Sequence, residues 1–173
     1  MPDATTQRPD RDRYYMGIAC AIRKRANCLG KKVGAVLVLE DRIIAAGYNG
    51  TPENMQNCDE GGCDRCSNRE HYTSGSGYDV CICVHAEQNA LLSAARFGIS
   101  VRGATLYTTV RPCFGCTKEL LQAQVSSVYY LHDWQHPDPG LKSQYELLQS
   151  RIPTGIRQID MDDPDDPDAN QEV

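Results

Sequence analysis

The sequence predicts an α/β protein in which a mixed central sheet of about five strands lies between helical layers, as a three-layer α/β/α sandwich. Three observations support this prediction. An amphipathic helix pattern comes first, two apolar runs joined by a tight turn follow it, and helical and strand patterns alternate over the second half of the chain. This order predicts a mixed sheet that is covered by helices on both faces.

The first three elements are defined by their apolar patterns. A helix is predicted from about Arg11 to Ala26, because the apolar side chains at positions 15, 18, 19 and 22 form one stripe. Residues 33–39 form the continuous apolar run of a buried strand, and residues 42–48 read as its hairpin partner. Glu40-Asp41 is the expected turn between the two strands.

The rest of the chain begins with a long irregular segment at residues 49–84. It is rich in cysteine, glycine and serine, and a structureless stretch of that length is unusual unless it is functional or held by metal. A helix is predicted next over 85–97, with Gly98 as its stop. The remaining elements are a strand over 104–109, a helix from Pro112 to about 124, a strand over 125–131, a helix over 141–149 and a strand over 156–159.

The 173 residues suit one domain, expected over residues 10–159, with a disordered lead-in at 1–9 and an acidic disordered tail at 160–173. The tail holds seven acidic residues and no basic one, which leaves 18 basic against 16 acidic residues elsewhere. That balance argues against a nucleic-acid partner. No apolar run approaches the roughly 20 residues that span a bilayer. Residues 1–13 also lack the apolar core of a signal peptide, so we expect no membrane partner and a cytoplasmic location.

The most informative motif pairs His85-Ala86-Glu87 with Pro112-Cys113-Phe114-Gly115-Cys116. One imidazole and two thiols supply three ligands of a tetrahedral Zn²⁺ and leave a fourth position open, which is typical of catalytic rather than structural zinc. Glu87 stands beside the metal ligands and is free to carry protons. This order of residues is the signature of zinc-dependent nucleobase deaminases. A closed zinc site with a fourth protein ligand is the alternative, but it would give Glu87 no role.

The spacing of His85 and Glu87 predicts a detail of local geometry. Residues two apart on an ideal helix point about 200° apart, given 3.6 residues per turn. The two side chains therefore converge on one metal only if His85 lies at the helix boundary. Both metal-binding segments are also expected at helix N-termini, where the partial positive charge favours thiolates.

These motifs resemble those of the deoxycytidylate (dCMP) deaminase family within the cytidine deaminase superfamily, over most of residues 11–159. The superfamily features are His85-Ala86-Glu87-Gln88-Asn89-Ala90 and the Pro-Cys segment. Features more specific to the dCMP branch are Val33-Gly34-Ala35, Gly47-Tyr48-Asn49-Gly50-Thr51-Pro52, and Ser74-Gly75 with a cysteine shortly before the His-Ala-Glu.

The resemblance implies a cytidine-deaminase-like fold, with catalytic zinc on His85, Cys113 and Cys116. In that family the residue at Glu87 moves protons while water replaces the amino group of dCMP, which gives dUMP and ammonia. The resemblance also implies a homo-oligomer, with a hexamer favoured and a dimer possible, and control by dCTP and dTTP. The segment that contains Asn49 and Gly50 resembles the part that handles these effectors.

Four further residues are predicted to bind the substrate. Asn49 resembles the family asparagine that contacts sugar or base, although an asparagine before Gly50 also suits a turn. Ala86 would offer its backbone N–H to the pyrimidine carbonyl oxygen. Arg96 is a candidate for phosphate or effector contact across a subunit interface, or else a solvated cation at a helix end. Tyr130 follows a strand near the expected mouth of the site, where ordinary packing is equally plausible.

Seven of the nine cysteines remain outside the catalytic motif. A second, structural Zn²⁺ is predicted on Cys58, Cys63, Cys66 and Cys81, with Cys83 or His71 as a possible replacement for one member. Free thiols and disulfides are the alternatives. Cys20 and Cys28 are expected to be a core thiol and a surface thiol.

Two classes of function compete with dCMP deamination. One is deamination of another substrate: deoxycytidine, dCTP, a 5-substituted dCMP or, with less support, a tRNA adenosine. The other is a zinc-binding accessory protein with an inactive site, which would have no need of Glu87.

Overall fold

A computed structural model describes residues 8–73, 76–163 and 165. Its centre is a five-stranded mixed sheet in the order β2-β1-β3-β4-β5. Strand β1 pairs antiparallel with β2 and β3, whereas β3, β4 and β5 run parallel to one another. The strands are β1 (Gly34–Leu39), β2 (Arg42–Tyr48), β3 (Thr105–Val110), β4 (Ser127–His132) and β5 (Ile156–Gln158).

The helices cover both faces of this sheet, as the three-layer prediction requires. They are α1 (Arg11–Arg23), the one-turn α2 (Asp64–Ser67), α3 (Ala86–Arg96), α4 (Phe114–Gln122) and α5 (Pro139–Gln149). Among the described residues, no helix is both long and apolar enough to cross a membrane.

The core lies on the two faces of β1, because successive side chains of a strand point to opposite sides. Ala35 and Leu37 pack in one cluster with Ala86 and Ala90 of α3. Val36 belongs to a second cluster, together with Val38 and with Tyr15, Met16 and Ala19 of α1. This burial on both sides explains why the predicted strand reads as an unbroken apolar run.

Most element boundaries agree with the predictions to within a few residues. The turn at Glu40 and Asp41 is confirmed, and both residues have positive φ, as a two-residue hairpin turn of the primed type requires. Helix α1 ends at Arg23 rather than Ala26. Helix α4 begins at Phe114 rather than Pro112, because Cys113 is its N-cap and its sulfur accepts a hydrogen bond from the backbone N–H of Cys116.

The C-terminal prediction needs correction in its described part. The side chain of Asp163, assigned above to a disordered tail, is 3% exposed and bonds to Arg23 through both oxygens, at 2.6 and 2.7 Å. His132 Nε2 lies 2.7 Å from the same carboxylate. The chain is therefore anchored to α1 and β4 as far as Asp163, because a buried guanidinium needs a paired carboxylate. The remaining tail residues, apart from Asp165, and most of the lead-in lie outside the described residues.

We expect Asp163→Asn to lower the free energy of unfolding by about 3–5 kcal/mol at pH 7, because it leaves a buried charge without its partner. Arg23 and His132 hold the pKa of the Asp163 carboxyl well below its ordinary value. A depressed folded-state pKa stabilises the protein above the unfolded pKa of about 3.9, and the contribution fades as pH falls below it.

Urea unfolding of wild type, Asp163→Asn and the exposed neighbour Asp162→Asn at pH 7 and pH 3.5 checks this prediction. The gap between wild type and Asp163→Asn should narrow at the lower pH, and Asp162→Asn should follow wild type. An Asp163→Asn protein as stable as wild type at pH 7 would contradict the anchoring role.

Candidate metal centre and active-site cleft

The three predicted zinc ligands meet in space. Nδ1 of His85 lies 3.5 Å from the Cys113 sulfur and 3.3 Å from the Cys116 sulfur. All three donor atoms lie within 4.8 Å of one another. Zinc with a Zn–N bond of about 2.1 Å and Zn–S bonds of about 2.3 Å at tetrahedral angles places nitrogen and sulfur roughly 3.6 Å apart. The donor set therefore fits a zinc ion with one position left for a small ligand.

Two helix starts bring these donors together. His85 is the N-cap of α3, in an extended conformation, and its backbone N–H donates to the Gln88 side chain at 2.9 Å. Cys113 is the N-cap of α4, which leaves Cys116 in the first turn. The prediction that His85 lies at a helix boundary is confirmed, and so is the placement of both segments at helix N-termini. The positive ends of two helix dipoles thus face the metal site.

Glu87 is buried beside these donors, with 4% of its surface exposed. Its Oε2 lies 3.6 Å from the Cys116 sulfur. Burial, and then the negative charge of Cys113, raise the pKa of its carboxyl to about 7. A carboxyl with a pKa near neutrality can both accept and deliver a proton at physiological pH.

The two thiols and the imidazole lie close enough to shift one another's pKa values. Hydrogen bonding from Cys116 is the main cause that lowers the pKa of Cys113 to about 4, and the same contact raises the pKa of Cys116. The hydrogen bond with Cys113 raises the pKa of His85 to about 9. At least one thiolate is therefore present at neutral pH, which is the form that binds metal.

The metal site opens into a cleft of about 910 Å³. Aromatic rings stand around its entrance: the ring of Tyr78 meets those of His85 and Trp134 edge-on, with centroids 6.5 Å apart in each case. Four basic residues also line the cleft: Lys31, Arg65, Arg69 and Arg111. A concave site with aromatic walls and several cations suits a planar, anionic ligand.

Asn49 and Ala86, both predicted to contact substrate, line this cleft. Asn49 is buried, and both ends of its side-chain amide bind the backbone of the neighbouring loop: Oδ1 accepts from Val33 N at 2.7 Å and Nδ2 donates to the Lys31 carbonyl at 2.9 Å. It therefore holds the cleft wall in place. Ala86 is the first residue of α3, where the helix does not use the backbone N–H.

Three other predicted residues lie away from the cleft. Arg96 ends α3 with its side chain 72% exposed and pairs with Glu53 at 3.7 Å, so it does not reach the cleft of its own chain. Tyr130 is 8% exposed and does not line the cleft; the Arg111 guanidinium covers its ring at 5.5 Å. Gly50 forms an isolated backbone bridge with Val84. An effector role of Asn49, Gly50 or Arg96 stays a prediction. Ser74 and Gly75 lie outside the described residues.

The spare cysteines lie together, and they form more than the single quartet that was predicted. Two groups of four have all sulfurs within 4.8 Å of one another: Cys28, Cys58, Cys66 and Cys83 form one, and Cys63, Cys66, Cys81 and Cys83 the other. The second group is the predicted quartet with Cys83 in place of Cys58, a replacement that the sequence analysis allowed. The first group contains Cys28, which the prediction left out because the loop after α1 is distant from the other cysteines in the sequence. Cys28 is buried and not a surface thiol. His71 is exposed and belongs to neither group.

Arg65 is a residue that the sequence did not single out. Its Nη2 donates to the Ser76 carbonyl at 2.9 Å, and its guanidinium lies 5.1 Å from the centroid of the Tyr78 ring and 5.6 Å from that of Tyr72. Its Nε is buried and has no hydrogen-bond partner among the described residues. No sequence pattern distinguishes this arginine from the others, because its suitability for binding a ligand depends on the cavity around it.

Residues 9–132 match the family model described as the cytidine and deoxycytidylate deaminase zinc-binding region. The chain belongs to this family. It is 39% identical over 139 residues to the deoxycytidylate deaminase of Saccharomyces cerevisiae, which covers 80% of this chain and 43% of that protein. It is also 39% identical over 131 residues to the deoxycytidylate deaminase of Mycobacterium phage D29, which covers 71% of this chain and 95% of the phage protein.

The fold of this family member agrees with a solved relative. The dCMP deaminase of cyanophage S-TIM5, crystallised with dCMP and dUMP, superposes with a TM-score of 0.66 at 29% identity, over 88% of this chain and 99% of that one. The match confirms the predicted α/β fold. The chain spans less than half the length of the yeast relative.

Proposed function

We propose that this chain catalyses the hydrolytic deamination of dCMP to dUMP and ammonia, with Zn²⁺ as cofactor. The observation that carries the proposal is the buried Glu87 carboxylate, 3.6 Å from a thiol of a three-donor zinc site, at the base of an open cleft. A site that served only structure would have no use for a buried carboxyl beside an incomplete ligand set. The names of the yeast and phage relatives, both deoxycytidylate deaminases, support dCMP as the substrate.

Zinc held by His85, Cys113 and Cys116 would supply a nucleophile from water at neutral pH. The Glu87 carboxylate takes up the proton that this water loses and delivers it to N3 of the cytosine ring, while the oxygen bonds to C4. Glu87 would then take the proton of the new hydroxyl group on C4 and pass it to the amino group. The C4–N bond breaks as the C4=O bond of dUMP forms, and ammonia leaves. Ala86 would hold the pyrimidine carbonyl oxygen through its backbone N–H, and Tyr78 and Trp134 would flank the nucleotide.

Of the three arginines that line the cleft, one is well suited to the substrate phosphate. Arg111 is already engaged, since its Nε donates to Gln149 at 2.8 Å and its Nη1 to Asp133 at 3.1 Å. Arg69 is an exposed residue that donates to the Leu29 carbonyl. Arg65 instead holds a buried donor without a partner among the described residues, between two tyrosine rings. A phosphate oxygen would satisfy that donor, so we assign phosphate binding to Arg65 rather than Arg96.

We expect Arg65→Gln to raise KM for dCMP by at least about 10-fold, because hydrogen bonds to charged groups contribute about 1.5–3 kcal/mol. For deoxycytidine, which has no phosphate, kcat/KM should change less than about 2-fold on the same reasoning. Arg42→Gln is the matched control, since Arg42 is exposed on β2 and lies outside the cleft, and it should alter neither value. Equal losses on both substrates would show that Arg65 supports the cleft rather than the phosphate.

The proposal includes features beyond the reaction. A second, structural metal on the cysteine groups would hold the segment 49–84, as a metal-stapled long loop requires. A homo-oligomer is supported by exposed apolar side chains around the end of α3, Leu92, Phe97 and Ile99, because such patches mark contact surfaces. We also propose regulation by dCTP and dTTP and a cytoplasmic location. The single deaminase domain, predicted over residues 10–159, would extend to Asp163.

Ammonia release from the zinc-loaded protein tests the function directly. dCMP, 5-methyl-dCMP, deoxycytidine and dCTP are compared side by side, each with and without added dCTP or dTTP as effector. We expect the highest kcat/KM with dCMP. A preference for 5-methyl-dCMP or dCTP would keep the chemistry and change the substrate. A preference for deoxycytidine would also contradict the phosphate-binding role of Arg65. Inactivity towards all of them, with zinc bound, would contradict the proposed function.

A further inference from the structure

Six cysteines converge beside the active-site cleft, and we call them the cysteine cluster: Cys28, Cys58, Cys63, Cys66, Cys81 and Cys83. They come from three separate stretches of chain: the loop after α1, the turns around α2, and the extended residues that lead into His85. Five of them are at most 7% exposed, and Cys81 is half-buried. Such a concentration of buried thiols from distant positions favours a common ligand, because apolar packing alone gives no reason for sulfur at all six positions.

The distances between sulfurs are those of a metal–thiolate site. The separations are 3.9 Å for Cys28–Cys66, 3.9 Å for Cys63–Cys81, and 3.7 Å for Cys66–Cys81. A disulfide would require about 2.05 Å. Zn–S bonds of about 2.3 Å at tetrahedral angles place neighbouring sulfurs about 3.8 Å apart. The sulfur–sulfur distances therefore match those between neighbouring ligands of a tetrahedral zinc ion.

The cluster forms two overlapping quartets that share two members. Cys66 and Cys83, whose sulfurs are 4.0 Å apart, belong to both quartets, and the other four belong to one each. One tetrahedral ion would use four thiolates and leave two thiols of the cluster unused. Two ions need eight metal–sulfur bonds, which six cysteines supply when two of them bridge. The observed sharing is the pattern that a bridged pair requires.

We infer that the cysteine cluster binds two zinc ions, with Cys66 and Cys83 as bridging thiolates. Cys28 and Cys58 complete the first tetrahedron, and Cys63 and Cys81 the second. The inference extends the structural metal proposed above from one ion to two, and it does not depend on deaminase activity. Adding the second ion leaves the net charge of the cluster unchanged, because one divalent ion replaces the protons of two thiols.

Two features of the surroundings support thiolates rather than thiols. Backbone N–H groups point at sulfur: Leu29 donates to Cys58 at 3.3 Å and Gly30 to Cys28 at 3.4 Å. Arg65, between Cys63 and Cys66, and Arg69, three residues after Cys66, line the same cleft as Cys28, Cys66 and Cys83. The Cys66–Cys83 pair must approach more closely when both ions bind, because two cations that share an edge repel each other across it. Extended chain at Cys83 and the one-turn helix at Cys66 permit that small shift.

Metal counting in a variant that lacks the catalytic site tests the inference. In full-length Cys116→Ala, purified without chelator, the catalytic zinc is lost and the remaining zinc reports the cluster alone. Native mass spectrometry and elemental analysis should find two zinc ions per chain, and three in wild type. One zinc in Cys116→Ala, or iron or copper in its place, would overturn the inference. Because this count needs no turnover, a failure of the proposed function would not affect it.

Variants of the non-bridging cysteines test the two proposed zinc positions one at a time. Cys63→Ser with Cys81→Ser in the Cys116→Ala background should lower the count from two zinc ions to one, while Cys20→Ser, outside the cluster, should leave it at two. An unchanged count in the double variant would overturn the assignment. X-ray absorption on Cys116→Ala covers the case in which ligand variants fail to fold. A zinc–zinc distance of roughly 3 Å, as bridging Zn–S bonds of about 2.3 Å allow, is expected, and its absence would overturn the bridge.

Discussion

Glu87→Gln should lower kcat for dCMP by a factor of about 10²–10⁴, the range that a positioned general acid–base contributes. Glutamine matches glutamate in shape, so the packing around this buried side chain should survive. An amide cannot take a proton from water or deliver one to N3 and the leaving amine. The loss should appear in kcat rather than in KM, because the ground-state contacts of the nucleotide remain. Steady-state ammonia release, with zinc measured on the same samples, checks the result.

Glu119→Gln is the matched control for this variant. Glu119 lies on α4, is exposed, and accepts a hydrogen bond from Gln88 at 2.9 Å, which glutamine can also accept. It should keep near-normal activity. A Glu87→Gln protein that retains more than about a tenth of wild-type kcat would contradict the role of general acid–base. Loss of zinc from Glu87→Gln would show instead that the carboxylate supports the metal ligands.

Gly47→Ala should destabilise the fold by about 3 kcal/mol or more, at or beyond the upper end for overpacking in a well-packed core. A Cβ at this position would lie 2.3 Å from the Ala86 carbonyl oxygen and 2.5 Å from the Ala90 nitrogen. Both are backbone atoms of α3, which cannot turn aside as a side chain can. The helix would have to move away from β2 and carry His85 and Glu87 with it. Activity should therefore fall even where the protein remains folded.

Gly17→Ala is the matched control, and it should stabilise the protein where Gly47→Ala destabilises it. Gly17 is exposed within α1, and nothing lies within 4 Å of an added Cβ. Alanine there should stabilise the protein by about 0.5–1 kcal/mol, because glycine is unfavourable in a helix interior. Urea unfolding of both variants measures the contrast. A Gly47→Ala protein within about 0.5 kcal/mol of wild type, the usual range of surface substitutions, would show that α3 can move away from the sheet at little cost.

The elements that could be predicted were those with a strong local pattern. The strand predicted over residues 33–39 was correct because both of its faces are buried and the run is unbroken. The turn at Glu40-Asp41 was correct because two polar residues separate two apolar runs, and Asp tolerates the left-handed backbone that the turn needs. The limits of α1 and α4 were less accurate. A cap is set by one hydrogen bond, such as the one from the Cys116 backbone to the Cys113 sulfur, and the apolar period does not show it.

The same distinction holds for the site: residues with a fixed local spacing could be predicted, and residues defined by distant contacts could not. His85, Glu87, Cys113 and Cys116 were recognisable because zinc chemistry restricts the residue types and keeps them in short, fixed spacings. Arg96 was chosen from its angular position on a helix, and the structure leaves it three turns along and in solvent. Arg65 was missed because its importance depends on two tyrosine rings and a buried, unpartnered nitrogen.

The sequence by itself determined the fold class, the three-donor zinc motif, and the need for His85 at a helix boundary, because each depends on periodicity or on residues close together in the chain. The tertiary structure alone decided which thiols lie together, which basic residues line the cleft, and that Asp163 is buried against Arg23. Cys28 and Cys66 are 38 residues apart in the sequence, and Arg23 and Asp163 are 140 residues apart. Their partners are chosen by the packing of α1, the long loop and the sheet, and no local pattern records that packing.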